Sequence, residues 1–158
     1  MATDHIRMPQ SERTLVLVKP EGVQRQLVGQ ILARFEAANF SIAALELRYP
    51  EQRHIEQHYE EHQEKAFFGP LVEYLTDSPV VAAVLAGTDA VNTTRRIIGD
   101  TDPATAADET IRGEFGTDSM QQADEEGRAL QNLVHASADP EDAAREISLW
   151  FPNHEPGQ

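Results

Sequence analysis

The sequence predicts an α+β fold, a four-stranded antiparallel sheet with helices packed on it. Three observations carry this. Two near-continuous apolar runs of strand length, residues 14–19 and 79–86, read as central strands buried on both faces. A third run, residues 40–50, alternates apolar and polar side chains, as a half-exposed edge strand does. Segments with apolar residues at helical spacing separate these runs.

Residues 1–11 read as a polar tail. The first strand exits at Lys19, which Pro20 biases toward extended backbone. A helix begins near Gly29, with Ile31, Leu32, Phe35 and Ala38 on one face. In the edge strand, Ala43, Leu45 and Leu47 face one way, while Ala44, Glu46 and Arg48 face the other. Residues 51–64 form a polar helix with His54, His58 and His62 four apart. A solvated face is expected there rather than a metal site, because Tyr59 stands where an H-E-x-x-H motif needs glutamate. The next helix carries Phe68, Leu71, Val72 and Leu75 on one stripe and tolerates Pro70 in its first turn.

After the second central strand, Asp89 opens a helix that ends near Gly99. Residues 100–128 are polar, acidic and without clear periodicity, which predicts a long loop. Within it, residues 116–130 read as an acidic insertion before the last strand, residues 131–136. In the last helix Asp139 is the cap, Pro140 takes the first turn, and Glu141 and Asp142 suit the helix dipole. Its core stripe is Ala143, Ile147, Trp150 and Phe151. This order of elements fits a ferredoxin-like sandwich whose main helices cover one face of the sheet, with residues 1–158 as a single domain.

Apolar content of 40% is that of a globular chain. The absence of cysteine excludes disulfides, thiol catalysis and zinc–thiolate sites. With no apolar N-terminal core and no membrane-length run, the expectation is a cytoplasmic protein with no membrane partner. A net charge of −14 argues against a nucleic-acid partner. It leaves room for a local cationic pocket, and Lys19, Arg95, Arg96 and Arg112 are the cations placed at element ends or in the long loop.

Taken alone, the histidine of "NLVHASADP" reads as a satisfied core side chain. Glu146 changes its context. It lies eleven residues after His135, on the helix that folds back, at the border of an apolar stripe where a carboxylate needs a partner. A carboxylate on one imidazole nitrogen would fix the tautomer and leave the other nitrogen as a nucleophile.

"NLVHAS" resembles the N-x-x-H-x-S-D signature of nucleoside diphosphate kinases. Three more ordered blocks resemble that family: "RTLVLVKPEGVQRQLVGQI", "HYEEHQEKAFFGPLVEYLTDSPVVAAVL" and "IIGDTDPATAADETIRGEFG". The resemblance implies ping-pong transfer of the terminal phosphate of a nucleoside triphosphate, such as ATP, to a nucleoside diphosphate. It implies a phosphohistidine at His135, with Glu146 holding the other ring nitrogen and Ser137 supporting Glu146 and the leaving oxygen. Lys19 and Tyr59 would flank the transferred phosphate. Arg95, Thr101 and Arg112 would hold the other phosphates, while Lys19 and Asn132 bond the ribose. Phe67 would stack on the base beside Leu71. Magnesium would be held mostly by nucleotide phosphates and water rather than by protein ligands. The family resemblance also implies a homo-oligomer, a hexamer in preference to a tetramer or dimer.

Three departures stand out. Ala138 replaces the signature's aspartate, Gln131 replaces the arginine usual before Asn132, and the span from Phe115 to Asn132 exceeds the usual family spacing. The competing expectation, a non-catalytic nucleotide-binding or scaffold module on the same fold, would accompany loss of chemical residues, and this chain retains them.

Overall fold

The computed structural model describes residues 12–154. The tail read at residues 1–11 lies outside them. In chain order the elements are β1 (Glu12–Val18), α1 (Pro20–Gln24), α2 (Val28–Ala37), β2 (Ser41–Arg48), α3 (Gln52–His58), α4 (Phe68–Thr76), β3 (Val80–Gly87), α5 (Ala90–Ile98), α6 (Ile111–Phe115), α7 (Met120–Glu126), β4 (Val134–Ala136) and α8 (Pro140–Trp150). A 3₁₀ turn, Glu60–His62, follows α3. The strands form one antiparallel sheet in the order β2-β3-β1-β4.

The apolar runs 14–19 and 79–86 become the two central strands. Alternate residues of β1 enter two cores. Val16 and Val18 join Ile31, Phe35 and Ile98 on one face of the sheet, while Leu15 and Leu17 join Ile55, Leu75 and Trp150 on the other. Each such fully buried side chain contributes roughly 1.5–3 kcal/mol. Helices therefore cover both faces: α2 and α5 lie on one, α3, α4 and α8 on the other. The expectation of a single covered face is corrected, and the correction follows from strands apolar on both sides.

β2 is the edge strand, as its alternation predicts, but a register shift between Ile42 and Ala44 interrupts its pairing with β3. Leu45 and Leu47 are left 54% and 56% exposed at this open edge. No helix of the described residues is long and apolar enough to cross a membrane.

The stretch 100–128, expected as a loop, contains two capped helices. Thr110 accepts from the Gly113 amide at the start of α6, and Ser119 accepts from the Gln122 amide at the start of α7. Arg128 closes the base of α7 with two hydrogen bonds to Asp118, at 2.7 and 2.8 Å. Asp118 also accepts from the Gln131 amide at 2.9 Å. The last strand is shorter than expected. Leu133 has a φ of 71°, and the Val134 amide donates to the Asn132 carbonyl across it at 2.8 Å. This is a strained, positive-φ γ-turn, which ends extended pairing before Val134.

Candidate active site

β4 pairs with β1 so that His135 lies opposite Leu17. Its ring thereby faces the layer of α3 and α8. Asp139 starts α8 by accepting from the Asp142 amide at 2.8 Å, with Pro140 in the first turn. Asp139 thus serves as a helix cap, and Ala138 is exposed. Two turns along, Glu146 returns to His135: Nε2 of the histidine meets Glu146 Oε1 at 2.5 Å. Ser137, fully buried, donates to the same oxygen at 3.2 Å. The expected triad of His135, Glu146 and Ser137 is therefore assembled. Tyr59, just past α3, places its ring 5.9 Å from that of His135.

A second group forms where β1 ends. Lys19 Nζ donates to Asn132 Oδ1 at 2.7 Å, and the Lys19 amide donates to the Leu133 carbonyl at 2.8 Å. Asn132 Nδ2 donates to the Thr101 carbonyl at 3.0 Å, so three distant segments meet. Arg112 on α6 uses three of its five N–H groups on the carbonyls of Asn132, Gly99 and Val134. Gly99 is required there: its φ is 88°, and a Cβ would lie 2.4 Å from Thr110 Oγ1. Arg95 stands exposed in the last turn of α5, and Thr101 is exposed beyond it.

Phe67 precedes α4 with 44% exposure and has the Lys65 ammonium 5.6 Å from its ring centre. Leu71, one turn later, is buried in the core with Val72 and Leu75 instead of lining an open surface. A concavity of about 370 Å³ between α2, α5 and Thr110 contains none of the predicted site residues.

The electrostatics run against the acidic surface. Burial first, then the charges of Lys19, Arg112, Arg95 and Arg145, hold the His135 imidazole well below its ordinary pKa. It is thus neutral at pH 7. Burial, reinforced by Arg112 and opposed by Glu21, pushes Lys19 from 10.5 down to about 7. Burial raises Glu146 from its ordinary value, against His58 and the Ser137 hydrogen bond.

One residue beside the triad runs against the sequence expectation. His58 was expected on a solvated helical face, yet it is 2% exposed and its ring lies 4.5 Å from that of His135. Ile55, three residues earlier and fully buried, is the signal that turns this face inward. The helix also stops at His58, so His62 leaves the line of the other two histidines.

The family model described as nucleoside diphosphate kinase matches residues 12–156. The chain belongs to the nucleoside diphosphate kinase family. It is similar to the nucleoside diphosphate kinase of Mycobacterium marinum, with 49% identity over 144 residues, covering 90% of this chain and 98% of that protein. The enzyme of Saccharopolyspora erythraea is 50% identical over 143 residues, again covering 90% and 98%. Among solved structures, the Borrelia burgdorferi nucleoside-diphosphate kinase, a transition-state mimic with bound vanadate and ADP, superposes with a TM-score of 0.89 at 32% identity. That match covers 94% of this chain and 92% of the other. The Pyrobaculum aerophilum NDP kinase gives 0.87 at 34% identity, covering 94% and 100%. The fold of these kinases is the ferredoxin-like sandwich described above. As a nucleoside diphosphate kinase, this chain is a phosphotransferase that moves the terminal phosphate of a nucleoside triphosphate to a nucleoside diphosphate. The non-catalytic alternative is set aside. Kinases of this family work with a divalent cation.

Proposed function

We propose that His135 Nδ1 is the nucleophile and that the transfer is ping-pong. The observation that carries this is the 2.5 Å contact of His135 Nε2 with Glu146. The carboxylate engages the proton-bearing nitrogen and leaves Nδ1 with its lone pair. In the first half-reaction that pair bonds the terminal phosphorus. The bond from phosphorus to the bridging oxygen breaks, and the oxygen departs with its electrons on the nucleoside diphosphate. Glu146 offsets the positive charge the ring then shares, and Ser137 keeps Glu146 in register. In the second half-reaction a terminal phosphate oxygen of the incoming diphosphate attacks phosphorus, and the P–N electrons return to Nδ1.

Phosphoryl transfer needs positioning and charge stabilisation above all. Lys19 and Tyr59 flank the transferred phosphate, and Arg95, Thr101 and Arg112 hold the others. Lys19 and Asn132 also bond the ribose. Phe67 stacks on the base beside Leu71, a contact that reads no base edge and so admits any nucleobase. Mg²⁺ is the divalent cation assigned here. Glu146 is engaged by His135 and Ser137, and the surrounding groups are cationic, so the donor set fits an ion carried by nucleotide phosphates and water. When bound, it neutralises phosphate charge. Nucleoside di- and triphosphates are cytoplasmic metabolites, which fits a cytoplasmic enzyme. Incubation with γ-labelled ATP and Mg²⁺ should yield an acid-labile, base-stable phosphoprotein that discharges onto a nucleoside diphosphate. Failure to label would overturn the covalent route.

The chain also works as a homo-oligomer in this reading. β2 is a sheet edge with backbone groups open to another strand, flanked by exposed Leu45, Leu47 and Tyr49. A second copy pairing edge to edge would cover them, and larger assemblies, up to the hexamer, would be built from that pair. Light scattering should give a mass of several chains. Leu45→Glu with Leu47→Glu should lower it, and an unchanged mass would remove β2 from the interface.

A further inference from the structure

His58 is buried beside the nucleophile, and the transfer chemistry gives it no task. Its Nδ1 accepts a hydrogen bond of 2.8 Å from Trp150 Nε1. An indole N–H can only donate, so Nδ1 holds a lone pair and the single proton of the neutral ring sits on Nε2. That Nε2 stands 3.8 Å from Glu146 Oε1. It is the same oxygen that His135 meets at 2.5 Å and Ser137 at 3.2 Å. Arg145, the residue before Glu146, donates to the carbonyls of Gln57 and His58 at 3.3 and 3.1 Å. The end of α3 is thus tied to the turn of α8 that carries the carboxylate. Burial above all keeps His58 well below its ordinary pKa.

We infer that His58, with its proton fixed on Nε2 by Trp150, is a positioning residue that holds Glu146 Oε1 against His135 Nε2 so that His135 presents only Nδ1 to phosphorus. This rests on the reading of His135 as nucleophile. At 3.8 Å the contact is a dipole facing a carboxylate, longer than a hydrogen bond.

The same three side chains offer ligand atoms within 4.8 Å of one another, a spacing that also suits a metal ion. Two features oppose that. The free lone pair of His58 is spent on Trp150, so its Nε2 has none for a cation. Tetrahedral ligands with bonds of ~2.0 Å sit about 3.3 Å apart, whereas His135 and Glu146 are in contact at 2.5 Å.

Two measurements test the assignment. Long-range ¹H–¹⁵N spectra of histidine-labelled protein at pH 7 should show His58 neutral with its proton on Nε2. A proton on Nδ1, or an imidazolium, would overturn it without any variant of the protein. In kinetics, His58→Phe should lower kcat about tenfold, the low end for a dipole lost from a buried charge. It should leave nucleotide Kd unchanged and scatter the phosphoryl group over both ring nitrogens of His135, read by ³¹P spectra. His58→Gln can accept from Trp150 and donate to Glu146, and should recover most of the rate and a single isomer. Equal losses in both variants, or a wild-type rate and single isomer in His58→Phe, would overturn the assignment. A wild-type protein that forms no phosphohistidine would instead bring down the nucleophile reading beneath it.

Discussion

His135→Ala is expected to lower phosphoryl transfer by at least about 10⁴-fold while nucleotide Kd changes less than threefold. The size follows from the role: removal of a covalent nucleophile closes the pathway, and what remains is binding and charge stabilisation. The unchanged affinity follows from the geometry. Lys19, Asn132 and Arg112 are held by one another and by backbone carbonyls, and none of their hydrogen bonds involves His135. Glu146 would keep Ser137 as a partner at 3.2 Å, so the variant should fold. Single-turnover mixing with labelled ATP separates the two effects. Label on the variant at the wild-type level would move the nucleophile elsewhere.

Lys19→Met is expected to lower kcat by about 10²–10³-fold, the usual loss of one fixed charge donor in a water-poor site, and to raise thermal stability at pH 7. The second effect comes from the burial that makes Lys19 useful. Its pKa falls from 10.5 to about 7 chiefly because the folded protein desolvates the ammonium, with Arg112 adding to the cost. The folded value lies below the unfolded one. Between about pH 7 and 10.5 the unfolded chain therefore binds more protons, and stability rises with pH across that window. Below it the full cost is present, with a ceiling of roughly 5 kcal/mol. Loss of the Lys19–Asn132 hydrogen bond takes back about 1–3 kcal/mol, leaving a net gain of at most roughly 2–4 kcal/mol. In the wild type, kcat/KM should fall as pH rises through about 7, because the free enzyme loses the Lys19 charge. kcat should hold to higher pH, since bound phosphates restore that charge. A flat kcat/KM up to pH 9, or a destabilised Lys19→Met, would contradict the assignment.

The central strands and the last helix could be read from the chain because their determinants are local. Apolar continuity set β1 and β3, and the Asp139–Pro140 pair set the start of α8. The triad was readable for a related reason: a short strand and the next helix bring His135 and Glu146 together without help from distant segments. What escaped the sequence depends on distant partners. His58 owes its burial to Trp150, which lies 92 residues away. Leu133 takes its left-handed turn because Lys19 and Arg112 hold the carbonyls on either side of its amide. The α7 caps, Ser119 and Gly127, were present in the sequence, but the helix between them is too short and polar to show a period.

The clasp between Asp118 and Arg128 has a practical consequence. It closes the chain at the base of α7, and Asp118 passes that closure on to Gln131, the neighbour of Asn132. Beyond the clasp, residues 124–127 are exposed, and nothing lies within 4 Å of a Cβ placed on Gly127. A foreign peptide or domain spliced at Glu125 would hang from an anchored stem, leaving Asn132 where it is. The fold thus offers a fusion port: a phosphotransferase that can carry a reporter or affinity module on an anchored stem without being rebuilt around it.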